Sequence, residues 1–269
     1  MLDDFRPGSG ALGALDMLRL QRDDLVLHAR LNRPHKRNSI SDSLLAQIHT
    51  LFLNLPGDVR AVVLSGEGEH FCAGLDLSEV SERSVVEGIH HSRAWHAAFE
   101  AIQFGPAPVL AVLQGAVVGG GLELAAAAHL RIAERSAFYA LPEGQRGIFV
   151  GGGGSVRISR LIGVARMTDM MLTGRVFDAD EGQAVGVSIY LVDHGQGLAK
   201  ALELARRIAG NAPLSNYAIT QALPRIAELS PGEGVFVEAL MSSIAQGDEA
   251  AKQRVRAFLE KRAAKVGKA

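Results

Sequence analysis

The sequence predicts an α/β fold from three observations: short apolar runs of strand length, longer stretches with apolar residues at helical spacing, and glycine-bearing turns between them. Residues 1–16, which contain Pro7-Gly8-Ser9-Gly10, read as a mobile leader. Met17 to Leu20 and Leu25 to Leu31 flank Arg22-Asp23-Asp24 and predict a hairpin. Ser41 stands where it caps a helix whose apolar residues Leu44, Leu45, Ile48, Leu51 and Phe52 share a face. Ala61 to Leu64 and Val109 to Leu113 are short buried strands, each leading into a glycine-bearing turn. Beyond Asp76, the apolar residues Ile89, Trp95, Phe99 and Ile102 lie among polar ones and predict a helix. Leu198 to Ala209 and Val235 to Lys265 are further helical stretches, punctuated by Pro213, Pro224 and Pro231. The expected division is a leader over 1–16, an α/β core over 17–200 and a helical layer over 201–269.

Composition narrows the function classes. A chain of 269 residues, 48% hydrophobic, is long enough for a full core, and its formal charge of −1 gives no electrostatic basis for nucleic-acid binding. The apolar runs, such as Pro108 to Leu113 and Ala125 to Ala128, are too short to span a bilayer, so no membrane segment is expected. Met1-Leu2-Asp3-Asp4 has neither a basic flank nor an apolar signal core. The single cysteine, Cys72, fits a reducing compartment, and the expected location is cytoplasmic.

The chemistry concentrates between Gly115 and Gly154. Glu123 follows Gly119-Gly120-Gly121, and Glu143 precedes Gly151-Gly152-Gly153-Gly154. Glycine lets backbone N–H groups approach a ligand closely, and carboxylates flanked by Leu122, Leu124, Leu141 and Pro142 are candidates for raised pKa values. Together these features point to acid–base chemistry on a polarised carbonyl. Taken alone, a glutamate one turn into a helix is usually a solvated or dipole-complementing residue, and a glutamate after proline can simply end a turn.

Four segments, in order, match one family. These are Leu31-Asn32-Arg33-Pro34-His35-Lys36-Arg37-Asn38-Ser39, Phe71-Cys72-Ala73-Gly74-Leu75-Asp76-Leu77, Gln114 to Ala126, and Leu141-Pro142-Glu143 with Gly147, Gly151, Gly153 and Gly154. With them the chain resembles the enoyl-CoA hydratase/isomerase family, the crotonase superfamily, from about Leu18 to Arg262. The resemblance implies a crotonase-like spiral of strand–strand–helix turns with a C-terminal helical trimerisation region. It also implies a homo-oligomer, trimer or hexamer, acting on an acyl-CoA thioester.

Residue by residue, the resemblance implies that the backbone N–H groups of Leu75 and Gly120 form an oxyanion hole, and that Glu123 and Glu143 are catalytic, sharing a water whose two proton-transfer roles stay unassigned. CoA contacts are implied at Ala73, Leu75, Asp76 and Leu77, with Lys36 and Arg37 answering the phosphates. Gly151 would help to seat the water, and Phe258 and Lys261 match positions that reach a neighbouring subunit's CoA. No metal and no redox cofactor is implied, coenzyme A being part of the substrate. The implied reaction is reversible hydration of an enoyl-CoA to a 3-hydroxyacyl-CoA. The alternatives are a hydratase-lyase acting on cinnamoyl-type thioesters, an enoyl-CoA isomerase, or a non-catalytic acyl-CoA-binding subunit.

Three positions depart from the family pattern: Val150 replaces a usual proline, His129 a frequent acidic residue, and the stretch before Phe258 lacks a common glutamate-glycine pair. Cys72 reads as a small buried apolar residue rather than a nucleophile. His90, His91 and His96 lack a complete ligand set for a metal and are expected in solvent or on an acyl-pocket wall. Trp95 and Phe99 lie four residues apart, read as one packed helix face, and are candidates for shaping acyl specificity.

Overall fold

In the computed structural model, which describes residues 2–5, 10–79 and 82–260, the first strands form the expected hairpin. β1 (Asp3–Asp4) lies antiparallel to β2 (Leu18–Asp23), which turns back into β3 (Val26–Leu31) with Asp23 opposite Val26. Asp24 takes a φ of 52° at that tight turn. The expected leader is thus paired to the body at Asp3 and Asp4, and Leu15 packs into the core behind a short 3-10 turn at Ala11–Ala14.

The chain then alternates between helices and strands: α1 (Asp42–Leu53), β4 (Ala61–Gly66), α2 (Val85–Gln103), β5 (Val109–Leu113), β6 (Ala116–Val118) and α3 (Gly120–Ala127). There follow β7 (Leu130–Glu134), β8 (Phe138–Ala140), α4 (Gly154–Ile162), α5 (Val164–Thr173), β9 (Val176–Asp178), α6 (Ala179–Val185) and β10 (Tyr190–Val192). The helices α7 (Gly197–Ala209), α8 (Pro213–Ile226), α9 (Pro231–Gly247) and α10 (Glu249–Leu259) complete the described chain.

Seven strands make one sheet in the order β1-β2-β3-β4-β5-β7-β10, parallel from β3 onward, and β6, β8 and β9 make a second, smaller sheet. Strand side chains alternate in direction, so the buried strands serve two cores. Val62, Leu64, Val109, Ala111 and Leu113 face the larger apolar cluster under α1, α2 and α3. Ala61, Val63, Leu110 and Val112 face a second cluster closed by Ala201, Leu202, Leu204 and Ala205 of α7. This double coverage explains why these strands read as continuous apolar runs. The boundary expected at residue 200 falls inside α7, which is part of the core.

Helix starts follow the capping chemistry. Ser41 Oγ accepts from the Leu44 N–H at 3.1 Å, and Ser84 with Glu87 forms a reciprocal capping box at the head of α2. The helical stretch expected from Val235 is two helices, because Asp248 ends α9 and accepts from the Ala251 N–H to start α10. Residues 261–265 lie outside the described chain. Among the described residues no helix is long and apolar enough to cross a membrane.

Candidate active site

Two glycine-rich connections and one helix face enclose a cavity of about 530 Å³. Its lining includes Leu75, Leu77, Trp95, Gly120, Glu123, Glu143 and Gly151, so six of the expected site positions, together with the expected specificity residue Trp95, meet in one space.

The first connection is clamped from both sides. Cys72 N–H donates to Ala116 O and Val118 N–H to Cys72 O, which stitches the loop to β6. On its other edge Ile40 N–H donates to Gly74 O, Asp76 N–H to Ile40 O and Ala73 N–H to Arg37 O. Gly74 has a φ of +96°, and a Cβ there would lie 2.7 Å from Val118 O, so the turn demands glycine. The result brings Leu75 beside the start of α3: a Cβ built on Gly120 would lie 3.6 Å from Leu75 N. Among the described residues neither the Leu75 nor the Gly120 N–H has a hydrogen-bond acceptor. Two unsatisfied amides at the positive end of a helix, facing one cavity, make a site for developing negative charge.

Cys72 is fully buried, and burial pushes its thiol up to about 12. That state suits packing, as expected, and leaves no reactive thiolate.

Glu123 occupies the first turn of α3, a helix buried along its whole length. Its Oε1 accepts from the Gly152 and Gly154 N–H groups, both at 2.8 Å, so the second glycine-rich turn folds around the carboxylate. Burial raises its pKa, while those amides and Arg157 oppose the rise. Glu143 follows β8 and approaches Gly119 closely: a Cβ on Gly119 would lie 3.0 Å from Glu143 Oε1. Its Oε2 is buried with no hydrogen-bond partner among the described residues. Burial, and then the nearby Glu123 charge, push the Glu143 carboxyl up to about 7.

This shift has a thermodynamic sign. An acid whose folded pKa exceeds its unfolded value favours the native state while protonated. The contribution of Glu143 is therefore complete below its ordinary value of 4.5 and is lost as pH rises to about 7. We expect urea unfolding of the wild type to lose about 1–3 kcal/mol relative to Glu143→Gln between those pH values, the lower end allowing for solvent screening, then to run parallel to it well above pH 7. Parallel curves across the whole range would show that Glu143 titrates normally.

The remaining wall comes from α2 and from the segment before the second turn. Trp95 stands against Gly120, with its ring 5.5 Å from Phe99 in a T-shaped pair. Ser92 Oγ donates to Gly151 O at 2.6 Å, and His91 lines the cavity, one of the two expectations held for that histidine. Arg83, Arg146, Ile148, Phe149 and Val150 complete the wall and were not singled out as lining from the sequence. Gly88, Ser92, Trp95 and Phe99 do carry a signal, since steps of three and four residues place them on one face of α2.

Other expected contacts lie elsewhere. Asp76 is buried outside the cavity lining, bonded to Arg33 at 2.9 Å and to Ser78 at 2.7 Å, and the Ser78 and Arg33 hydrogen bonds hold its carboxyl near 2. Lys36 lies 3.9 Å from Asp76 and 3.3 Å from Ser78, and neither it nor Arg37 lines the cavity. Ala73 contributes its backbone to the clamped loop, and Phe258 is exposed on α10. Lys261 lies outside the described residues. His129 is half-buried, with Nδ1 accepting from Val109 N–H at 2.9 Å and Nε2 3.0 Å from Gln103 O.

Comparison with known proteins gives the family. The sequence profile of the Enoyl-CoA hydratase/isomerase family matches residues 21–268. The chain belongs to the enoyl-CoA hydratase/isomerase family. Within it, a short-chain-enoyl-CoA hydratase of Clostridium acetobutylicum is 30% identical over 90% of this chain and 94% of its own length. A 2,3-dehydroadipyl-CoA hydratase of Escherichia coli is also 30% identical, over 90% of this chain and 95% of its own. A crystal structure of a provisionally named enoyl-CoA hydratase from Rhodopseudomonas palustris superimposes with a TM-score of 0.90 at 56% identity, covering 92% of this chain and 96% of that one. The crotonase-like α/β fold expected from the four motifs is therefore the fold of this family member.

Proposed function

We propose that this family member is an enoyl-CoA hydratase, adding water reversibly across the 2,3 double bond of an enoyl-CoA thioester to give a 3-hydroxyacyl-CoA. The observation that carries the reading is the meeting of two buried carboxylates and two unsatisfied amides in one cavity. The thioester oxygen accepts from the Leu75 and Gly120 N–H groups, each donor being worth about 10²–10³ in rate, and the N-terminus of α3 adds favourable potential. Water sits between Glu123 and Glu143. Its oxygen bonds to Cβ as the π electrons move toward the thioester oxygen, and its proton passes to Glu123, whose charge the Gly152 and Gly154 amides favour. Collapse of the enolate takes a proton from Glu143 to Cα. Glu143 suits that role because its carboxyl, lacking a donor on Oε2 among the described residues, holds a proton up to about pH 7. Proton return from Glu123 to Glu143 closes the cycle, so water is the only reactant besides the thioester and the reaction calls on no metal or redox cofactor.

The relatives' names support an acyl-CoA substrate. Exposed apolar residues on α8 to α10, among them Leu223, Phe236, Leu240, Phe258 and Leu259, support a homo-oligomer, trimer or hexamer. The reading places the enzyme in the cytoplasm, in keeping with its single reduced cysteine.

A panel of crotonyl-CoA, a cinnamoyl-type thioester and a 3-enoyl-CoA, with products identified by mass, tests the proposal. Gain of the mass of water on a 2-enoyl thioester is the expected result. Cleavage of the aromatic thioester after hydration would make the enzyme a hydratase-lyase, and double-bond movement without mass change would make it an isomerase. Binding without turnover of any member would make it an acyl-CoA-binding subunit.

A further inference from the structure

The turn that grips Glu123 is itself gripped from behind. Arg157, on the first turn of α4, donates from Nη1 to Gly152 O at 2.9 Å and from Nε to Gln103 Oε1 at 2.7 Å. The preceding peptide group, which carries the Gly152 N–H, donates to Glu123 Oε1 at 2.8 Å. One glycine therefore carries a hydrogen bond to the carboxylate on one side and a hydrogen bond from a guanidinium on the other. Gln103, which aims the guanidinium, also accepts at its backbone oxygen from His129 Nε2. His129, the departure from the family pattern noted above, is thereby the far end of a chain running through Gln103 and Arg157 to Glu123.

Arg157 does not line the cavity, and among the described residues it forms no ion pair. A half-buried guanidinium without a directly paired carboxylate requires some return for its desolvation. The charged groups around it and Glu123 are Glu100 of α2, Arg160 of α4 and Glu143 after β8.

We propose that Arg157 is a positioning residue for hydration: it fixes the Gly152 peptide so that the Gly152 and Gly154 amides aim Glu123 at the reacting water, and it places positive charge behind that carboxylate. The proposal rests on the hydratase reading for its effect on turnover, but its effect on Glu123 is independent of any activity.

The test uses full-length Arg157→Met and Arg157→Lys. Readouts are steady-state kinetics on whichever thioester the wild type hydrates, and a carbon-13 NMR titration of the Glu123 carboxyl. Arg157→Met is expected to lower kcat about tenfold to hundredfold through misplacement of the carboxylate, with KM changed by no more than about twofold. Its Glu123 carboxyl is expected to titrate at higher pH, because a cation favouring the ionised form is gone. Arg157→Lys should restore most of the titration but only part of kcat, since an ammonium keeps the charge without the planar fork. Wild-type kcat together with a wild-type Glu123 titration in Arg157→Met overturns the proposal. Should Arg157→Met fail to fold by circular dichroism, Arg157→Lys and Gln103→Ala decide instead: unchanged kcat and titration in both overturns it, and a fall of kcat in both at steady KM supports it. Absence of hydration by the wild type would sink the hydratase reading, while the Glu123 titration would still decide whether Arg157 acts on that carboxylate.

Discussion

Glu143→Gln is expected to lower kcat for hydration by about 10²–10⁴-fold while leaving acyl-CoA affinity, measured by calorimetry, close to that of the wild type. The amide keeps the volume of the carboxyl and can still hydrogen-bond water, but it has no proton to give to Cα. Oε2 of Glu143 has no partner among the described residues, so the substitution breaks no hydrogen bond to them at that atom. The loss is expected in kcat because the missing transfer belongs to the transition state. Undiminished turnover in a folded Glu143→Gln enzyme would remove Glu143 from the chemistry and leave Glu123 as the sole carboxylate of the site. That outcome would move the assignment toward a branch of the family that uses one acid.

Gly154→Ala is expected to reduce kcat by about 10²-fold through displacement of Glu123. A Cβ at this position would lie 2.7 Å from Glu123 Cγ and 2.8 Å from Oε1, the oxygen that accepts from the Gly154 amide. The carboxylate must then swing away or the turn must open, and either motion separates Oε1 from the Gly152 N–H as well. The backbone conformation at Gly154 is that of an ordinary helix start, so steric contact rather than dihedral strain causes the effect. Kinetics with a thermal melt separate the two possible costs. A melting temperature near that of the wild type with depressed kcat is the expected pattern, and a wild-type kcat would show that Glu123 tolerates the shift.

Local features made much of this site legible in the sequence. Gly119-Gly120-Gly121 before Glu123 and the glycine run after Glu143 announce close backbone approach next to carboxylates, and both carboxylates do line the cavity. The strands were legible because α7 covers the second face of the sheet and forces a continuous apolar run. What escaped the reading depends on contacts between distant segments. Ser92 meets Gly151 O across 59 positions, and Arg157 meets Gln103 across 54, and no local pattern encodes either meeting. Asp76 lies beside the motif that supplies the Leu75 amide, yet its side chain turns to Arg33, 43 residues earlier, and serves the loop's own stability. Proximity in sequence to a reacting group was a good guide for the backbone and a poor one for that side chain.

The loop carrying Leu75 is pinned to residues 37–40 along one edge and to residues 116–118 along the other before any thioester arrives. On the proposed hydratase reading, the Leu75 amide of this loop and the Gly120 amide at the start of α3 therefore wait in register, and a ligand does not have to organise them. Ordering entropy is spent during folding and not at each catalytic cycle. On that reading, the grip on a thioester head is separable from the choice of acyl tail: selection would be free to reshape the walls formed by α2 and by Ile148, Phe149 and Val150 without re-inventing how the carbonyl is held.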